Sequence, residues 1–208
     1  MTDFARLMNE YFVKYLAGQK GSGSNTMKTY RDTFVQLLEF MDEKKHIRAD
    51  CIEVDSFSYD IINEFLEYLE KEKGVSISTR NNCLAAIRSF FKYTGYHEPK
   101  YLNISASIRE ISKKKTEGRQ MNYLSVNAME HFLNSFDKTD HKELRCFCIV
   151  LLLYESGARV TELCNVRRYD LHLEKPYTII LHGKGDKIRS VPLDGLVADV
   201  ISNNIQKY

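Results

Sequence analysis

Arg159 and Glu162 stand three residues apart in the stretch Glu155-Ser156-Gly157-Ala158-Arg159-Val160-Thr161-Glu162, directly behind the apolar run Cys146 to Tyr154. That spacing puts both on one helical face, where an acid and a guanidinium can meet. A guanidinium presents its N–H groups as a planar fork, which grips a carboxylate or a phosphate with two parallel hydrogen bonds. Gly157 can close the preceding helix in the left-handed conformation, so Arg159 falls at the start of a new short helix over 159–166. A second candidate is Gly183-Lys184-Gly185-Asp186-Lys187. A P-loop requires Gly-x-x-x-x-Gly-Lys-Ser/Thr between a strand and a helix, and this run meets neither condition. Its glycines suit a hairpin turn, and Lys184 taken alone reads as a surface residue. A third set, Thr79, Arg80, Asn81 and Asn82, crowds the first turn of a helix beginning at Ser78. Backbone N–H groups and the positive dipole end suit phosphate there, and Arg80 and Asn81 carry donors able to reach base edges in a major groove.

The elements that must position these groups follow from hydrophobic spacing. Phe4, Leu7, Met8, Tyr11, Phe12 and Tyr15 mark one helix that breaks at Gly18, followed by a Gly/Ser loop over 21–24. Ser24 or Asn25 caps a helix running to about Lys45, with Tyr30, Phe34, Leu37, Leu38 and Met41 inward and Lys28 and Arg31 on its opposite, early face. Ser58 caps a helix over 59–73 that Gly74 ends, and the helix from Ser78 turns Leu84, Ile87, Phe90 and Phe91 inward. The basic, aperiodic run 113–120 marks the domain boundary. Beyond it, Ser125 caps a helix over 126–136, 142–154 forms a buried central helix, and 176–182 and 187–193 pair as two strands around the glycine turn. The segment 194–208 is helical.

Composition narrows the classes. The 208 residues are 43% hydrophobic and 28% charged with a net charge of +2, enough for one or two globular domains. No run has the length of a membrane span and no signal-peptide core opens the chain, so cytoplasmic is the default reading and no membrane partner is expected. Five cysteines, an odd number without zinc-site spacing, argue against a disulfide framework and a metal site; four lie in apolar or helical patterns and read as small core residues. Charge is segregated. Glu53, Asp55, Asp60, Glu64, Glu67, Glu70 and Glu72 face one lysine over 53–72, whereas Arg80, Arg88, Lys92, Lys100, Arg109, Lys113, Lys114 and Lys115 outweigh Glu98 and Glu110 over 78–115. The second segment favours a polyanion.

The order Ser156-Gly157-Ala158-Arg159-Val160-Thr161-Glu162-Leu163, then Asp170-Leu171, then Gly183-Lys184-Gly185-Asp186-Lys187-Ile188-Arg189-Ser190-Val191-Pro192-Leu193 resembles the tyrosine recombinase (phage integrase) family. There a Thr-Gly-x-Arg-x-Ser/Thr-Glu-Leu segment holds the first catalytic arginine and a Gly-Lys-Gly hairpin holds the catalytic lysine. Asn25-Thr26 with Tyr30, and Ser78-Thr79-Arg80 with Leu84, Ile87-Arg88 and Phe90-Phe91, are similar to its core-binding domain. The resemblance implies a mainly α fold with a small β-hairpin or sheet: a helical SAM-like core-binding domain over 1–115, then an incomplete α+β catalytic domain over 116–208.

It implies that Arg159 clamps the scissile phosphate, that Glu162 holds Arg159, and that Lys184 protonates the departing 5′ oxygen. It also implies double-stranded DNA as the partner, and the basic and first-turn residues read above, Lys28, Arg31, Thr79, Arg80, Asn81, Arg88, Lys113, Lys114 and Lys115, are the candidates to meet it. Family members cut and rejoin DNA through a 3′-phosphotyrosine, needing no cofactor or metal. Their His-x-x-Arg and tyrosine nucleophile lie beyond the hairpin and its following helix, and no histidine follows Lys184 in these 208 residues. The expectation is therefore a DNA-binding portion of a recombinase or integrase, truncated and inactive alone. It would be monomeric in solution, although the family assembles as tetramers on DNA. A non-catalytic regulator of the same ancestry, or a helical interaction module with Arg159 in a structural ion pair, are the alternatives.

Overall fold

Short polar side chains set where the helices begin. In a computed structural model describing residues 1–21, 23–116, 118, 122–183, 185 and 187–205, Thr2, Ser58, Ser76, Ser125 and Asp140 each accept a backbone N–H from the first turn that follows. A side-chain oxygen at this position satisfies a donor that has no partner inside the helix. The chain divides into two units, Met1–Arg119 and Gln120–Tyr208.

The first unit is helical: α1 (Asp3–Glu10), a π-helical segment (Tyr11–Gln19), α2 (Ser24–Lys45), α3 (Tyr59–Lys71), α4 (Ile77–His97) and α5 (Leu102–Glu110). Phe90 on α4 is its packing centre. Fully buried, it sets its ring 5.2–5.5 Å from those of Phe4, Tyr11, Phe34 and Phe91, edge to face in each pair as ring quadrupoles prefer. Tyr11 keeps its hydroxyl bonded to Ser89 Oγ at 2.8 Å, and burial pushes its phenol well above the ordinary range. Three local expectations are corrected. The first helix changes to π winding at Tyr11, which a spacing of three to four apolar residues does not distinguish from α. Gly23, rather than Ser24 or Asn25, precedes α2, and α4 starts at Ile77 behind a Ser76 cap, one residue before the expected start at Ser78.

The second unit carries α6 (Val126–Asn134), α7 (His141–Ser156), α8 (Val160–Cys164), β1 (Leu171–His172), β2 (Thr178–His182), β3 (Ile188–Pro192) and α9 (Gly195–Ile205). The three strands are antiparallel in the order β1-β2-β3, with Leu171 opposite Ile179 and Leu181 opposite Arg189. Ile179 and Leu181 alternate inward on β2 and pack with Leu152, Leu193, Val197 and Ile201 from α7, the end of the hairpin and α9. The third strand was not expected; at two residues β1 is too short to show alternation. The helix over 142–154 is also less buried than expected: Phe147, Cys148 and Leu152 turn inward, while Ile149 and Tyr154 are exposed. Of the cysteines, Cys83 and Cys148 are buried, whereas Cys51, Cys146 and Cys164 are exposed and so are not core residues. No helix among the described residues is long and apolar enough to cross a membrane.

Candidate functional site

Gly157 ends α7 at φ 57°, a left-handed conformation in which glycine has no Cβ to clash, and its N–H closes on Leu153 O at 3.1 Å. The chain then turns through Ala158 so that Arg159 becomes the extended residue ahead of α8. Glu162, three residues on, folds back and accepts the Arg159 backbone N–H at 2.9 Å through Oε2. This is the acidic half of a capping box; arginine has no acceptor with which to return it. The Arg159 side chain closes the loop, with Nη1 donating to Glu162 Oε1 at 2.6 Å.

A second arginine joins them. Arg189 on β3 donates through Nη2 to Glu162 Oε2 at 2.8 Å and to Gly157 O at 3.3 Å, and its Nη1 lies 3.5 Å from Glu162 Oε1. Glu162 is thus a buried carboxylate shared by two guanidiniums. The backbone and side-chain hydrogen bonds from Arg159, then the Arg189 charge, hold its carboxyl below the usual range against the opposing effect of burial. The close of β2 is fitted to the same carboxylate. A Cβ on Gly183 would sit 3.2 Å from Glu162 Oε1 and 3.3 Å from Lys187 O, tighter than ordinary van der Waals contact, so a larger residue here would have to push the carboxylate or the hairpin backbone aside. Gly183 immediately precedes Lys184, which lies outside the described residues.

Exposure separates the two members of the expected pair. The Glu162 side chain is 3% exposed and that of Arg159 is 72% exposed, so the acid is structural and the base faces solvent. Their three-residue spacing marks both in the sequence. Arg189 carries no such mark, because it meets Glu162 only through the hairpin register. Asp170 likewise has no sequence signal beyond its place in the motif. Buried Asp170 accepts the Arg167 N–H at 2.8 Å and meets His182 Nε2 at 3.1 Å, tying β2 to the turn after α8. The Arg167 backbone bond, followed by His182, lowers its carboxyl.

In the first unit the expected DNA-facing residues separate into two groups. Arg80 is buried: its Nε lies 3.2 Å from Glu70 Oε1, a charge contact without hydrogen-bond alignment, and its Nη1 donates to Ser112 O at 3.1 Å. Asn81 exchanges hydrogen bonds with the Lys114 backbone at 2.8 and 3.1 Å, and Arg88 Nη2 donates to Arg109 O and Ile111 O. These three therefore fasten the segment 109–114 to α4, correcting the expectation that Arg80 and Asn81 present free donors. Thr79 is exposed and belongs to the Ser76 cap, while Lys114 pairs with Glu70 at 2.8 Å.

Lys28, Lys113 and Lys115 are exposed, as is Arg31, which pairs with Asp32 at 3.1 Å. Lys113 and Arg88 also line a groove of about 500 Å³ with Lys20, Lys92, Arg109, Tyr15 and Tyr30. The charge count pointed toward Lys92 and Arg109; Lys20, isolated behind the π segment, carried no sequence signal.

Comparison with known proteins bears on both units. A model described as phage integrase, N-terminal SAM-like domain, matches residues 10–99, and a model of the phage integrase family matches residues 122–208. The chain belongs to the phage integrase family. Among its relatives in that family of tyrosine recombinases, XerC of Staphylococcus carnosus (strain TM300) is 26% identical over 97% of this chain and 64% of its own length. XerD of Listeria innocua serovar 6a is 28% identical over 94% of this chain and 63% of its own. The chain spans about 60 to 68% of the length of the curated relatives it matches first. The crystal structure of XerH site-specific recombinase bound to palindromic difH substrate has 23% identity and a TM-score of 0.65 over 98% of this chain and 60% of that one. The Tn1549 transposon integrase with transposon right end DNA has 18% identity and a TM-score of 0.69 over 100% and 65%. At these identities the likeness is one of fold: a SAM-like helical domain and the helix-and-sheet arrangement of the recombinase catalytic domain.

Proposed function

We propose that these residues bind duplex DNA and hold one of its phosphodiesters at Arg159, for strand cleavage and rejoining by a site-specific tyrosine recombinase. The observation that carries the reading is the charge balance around Glu162. Two guanidiniums share one carboxylate, which leaves one positive charge over, and the Arg159 side chain is 72% exposed. A structural ion pair, the reading in which the chain is an interaction module, requires no second arginine on the same acid. Arg159 commits one N–H to Glu162 and retains others of its five for a ligand. During transfer the phosphorus centre gathers negative charge on its outer oxygens, and a guanidinium fixed in advance stabilises that charge without reorganising.

Lys184, next in sequence to Gly183, is assigned the general-acid role, delivering a proton to the departing 5′ oxygen so that an alkoxide need not leave. In the whole recombinase a tyrosine would take the 3′-phosphate as a covalent ester, conserving the bond energy for rejoining. In the first unit, Lys28, Arg31, Lys113 and Lys115 and the groove that includes Lys20, Lys92 and Arg109 are assigned to the phosphate backbone. The chain is proposed to be cytoplasmic, monomeric when free, and to enter a tetramer on DNA. The test is fluorescence anisotropy of a labelled duplex with the 208-residue chain across a salt series. The logarithm of the binding constant should fall linearly with log salt, with a slope of about −0.9 per phosphate neutralised. No binding at the lowest salt would overturn the reading.

A further inference from the structure

Each oxygen of Glu162 faces one donor from each arginine. Oε1 takes Arg159 Nη1 at 2.6 Å and lies 3.5 Å from Arg189 Nη1, while Oε2 takes the Arg159 backbone N–H at 2.9 Å and Arg189 Nη2 at 2.8 Å. Arg189 further donates to Gly157 O, the carbonyl of the glycine that closes α7. One side chain on the outer strand of the hairpin thereby joins three pieces: β3, the end of α7, and α8 through Glu162. We propose that Arg189 is a positioning residue for Arg159, acting through Glu162. It occupies one side of the shared carboxylate and so leaves the charge and outward N–H groups of Arg159 for a phosphodiester. The inference rests on the reading of Arg159 as a phosphate clamp.

Charge counting gives the physical reason. With both arginines present the cluster holds one unit of positive charge beyond what Glu162 neutralises. Without Arg189, a buried carboxylate faces a single guanidinium and the pair is neutral. The planar fork can then close on both oxygens, and a phosphate has to compete with a carboxylate for the same donors. Removing Arg189 should therefore weaken an anion site that Arg189 itself does not touch. Register enforces the arrangement: Arg189 lies opposite Leu181, whose side chain is fully buried, so β3 cannot slide without moving Arg189 off Glu162.

The experiment is a double-mutant cycle on the 208-residue chain, read as duplex-DNA affinity across a salt series for wild type, Arg159→Ala, Arg189→Ala and the double variant. Arg159→Ala should lose roughly tenfold in affinity and about one unit of salt slope, as for one charge-assisted phosphate contact. Arg189→Ala should lose nearly as much, and the double variant should bind no more weakly than Arg159→Ala alone. Multiplying losses, with the double variant's slope down by about two, would mean that Arg189 meets phosphate by itself and would overturn the proposal. Wild-type binding by Arg189→Ala would overturn it equally. Arg189→Lys, which keeps the charge without the fork, serves if the alanine variant does not fold. It should show a smaller loss that vanishes in the Arg159→Ala background, and full wild-type affinity would count against the proposal. If Arg159→Ala binds like wild type while Arg189→Ala binds weakly, the clamp reading itself fails and the inference falls with it.

Discussion

Replacing Arg80 by alanine removes a cation that the sequence assigns to DNA and the structure places inside the first unit. The lost interactions are the 3.2 Å charge contact with Glu70, the hydrogen bonds from Nη1 to Ser112 O at 3.1 Å and to Asn81 Oδ1 at 3.3 Å, and the packing of a side chain only 6% exposed. Breaking a fully buried ion pair costs about 3–5 kcal/mol. The value here should be lower, because Glu70 is 21% exposed and keeps Lys114 at 2.8 Å. A cost of about 2–3 kcal/mol follows. For a unit of this size each kcal/mol lowers Tm by roughly 3–6 °C, so the variant should melt about 10 °C below wild type. Circular dichroism melts of the chain measure the shift. Duplex-DNA affinity measured in the cold, where the variant remains folded, should change less than threefold (~0.6 kcal/mol). An unchanged melting temperature together with a tenfold loss of DNA affinity would refute this reasoning and return Arg80 to the DNA surface.

Phe90→Ala removes the ring that four others pack against, and should cost about 3–5 kcal/mol in urea denaturation; a loss below 1 kcal/mol would contradict the assigned packing centre. Gly183→Ala forces a Cβ to within 3.2 Å of Glu162 Oε1 and 3.3 Å of the Lys187 carbonyl, so it should destabilise by about 1–3 kcal/mol and weaken DNA binding with it. Acid should unfold the chain through its depressed carboxylates. Lys100, Tyr101 and Arg6 hold Asp3 at about 2, against an ordinary 3.8, and Glu162 and Asp170 are lowered as well. A group whose folded pKa is depressed stabilises fully above its unfolded value and loses that contribution as pH falls toward the folded one. Stability should therefore be level above about pH 5 and decline from about pH 4 toward 2, with Asp3→Asn flattening part of that decline in urea titrations; a decline that begins near pH 6 would point to histidine instead.

Local chemistry made much of this fold legible. Ser58 and Ser125 cap their helices as read, Gly157 takes the left-handed turn, and Arg159 and Glu162 do meet, although through a capping turn with Arg159 extended ahead of α8 rather than along the one helical face that their spacing suggests. What the residues did not reveal depends on long-range register. Arg189 reaches Glu162 because β3 pairs with β2 so that it lies opposite Leu181, and nothing within three or four residues of Arg189 indicates that acid. Arg80 is instructive because its burial had a signal that charge counting hid. It lies four residues before Leu84 and seven before Ile87, on the apolar stripe of α4, where a cation is expected to turn inward and seek an acid. Segregation of charge along the chain reported which segment is basic and not which side of the helix the cations occupy. The groove lined by Lys20, Arg88, Lys92, Arg109 and Lys113 gathers residues from distant segments that only folding brings together.

Contact between Arg159 and a DNA phosphate can be read from the arginine Nε–H resonances of the 208-residue chain during titration with a short duplex. The assigned Arg159 resonance should shift as DNA is added and return as salt displaces it. Shifts confined to first-unit arginines such as Arg109, with the Arg159 resonance unmoved at saturating DNA, would contradict that contact.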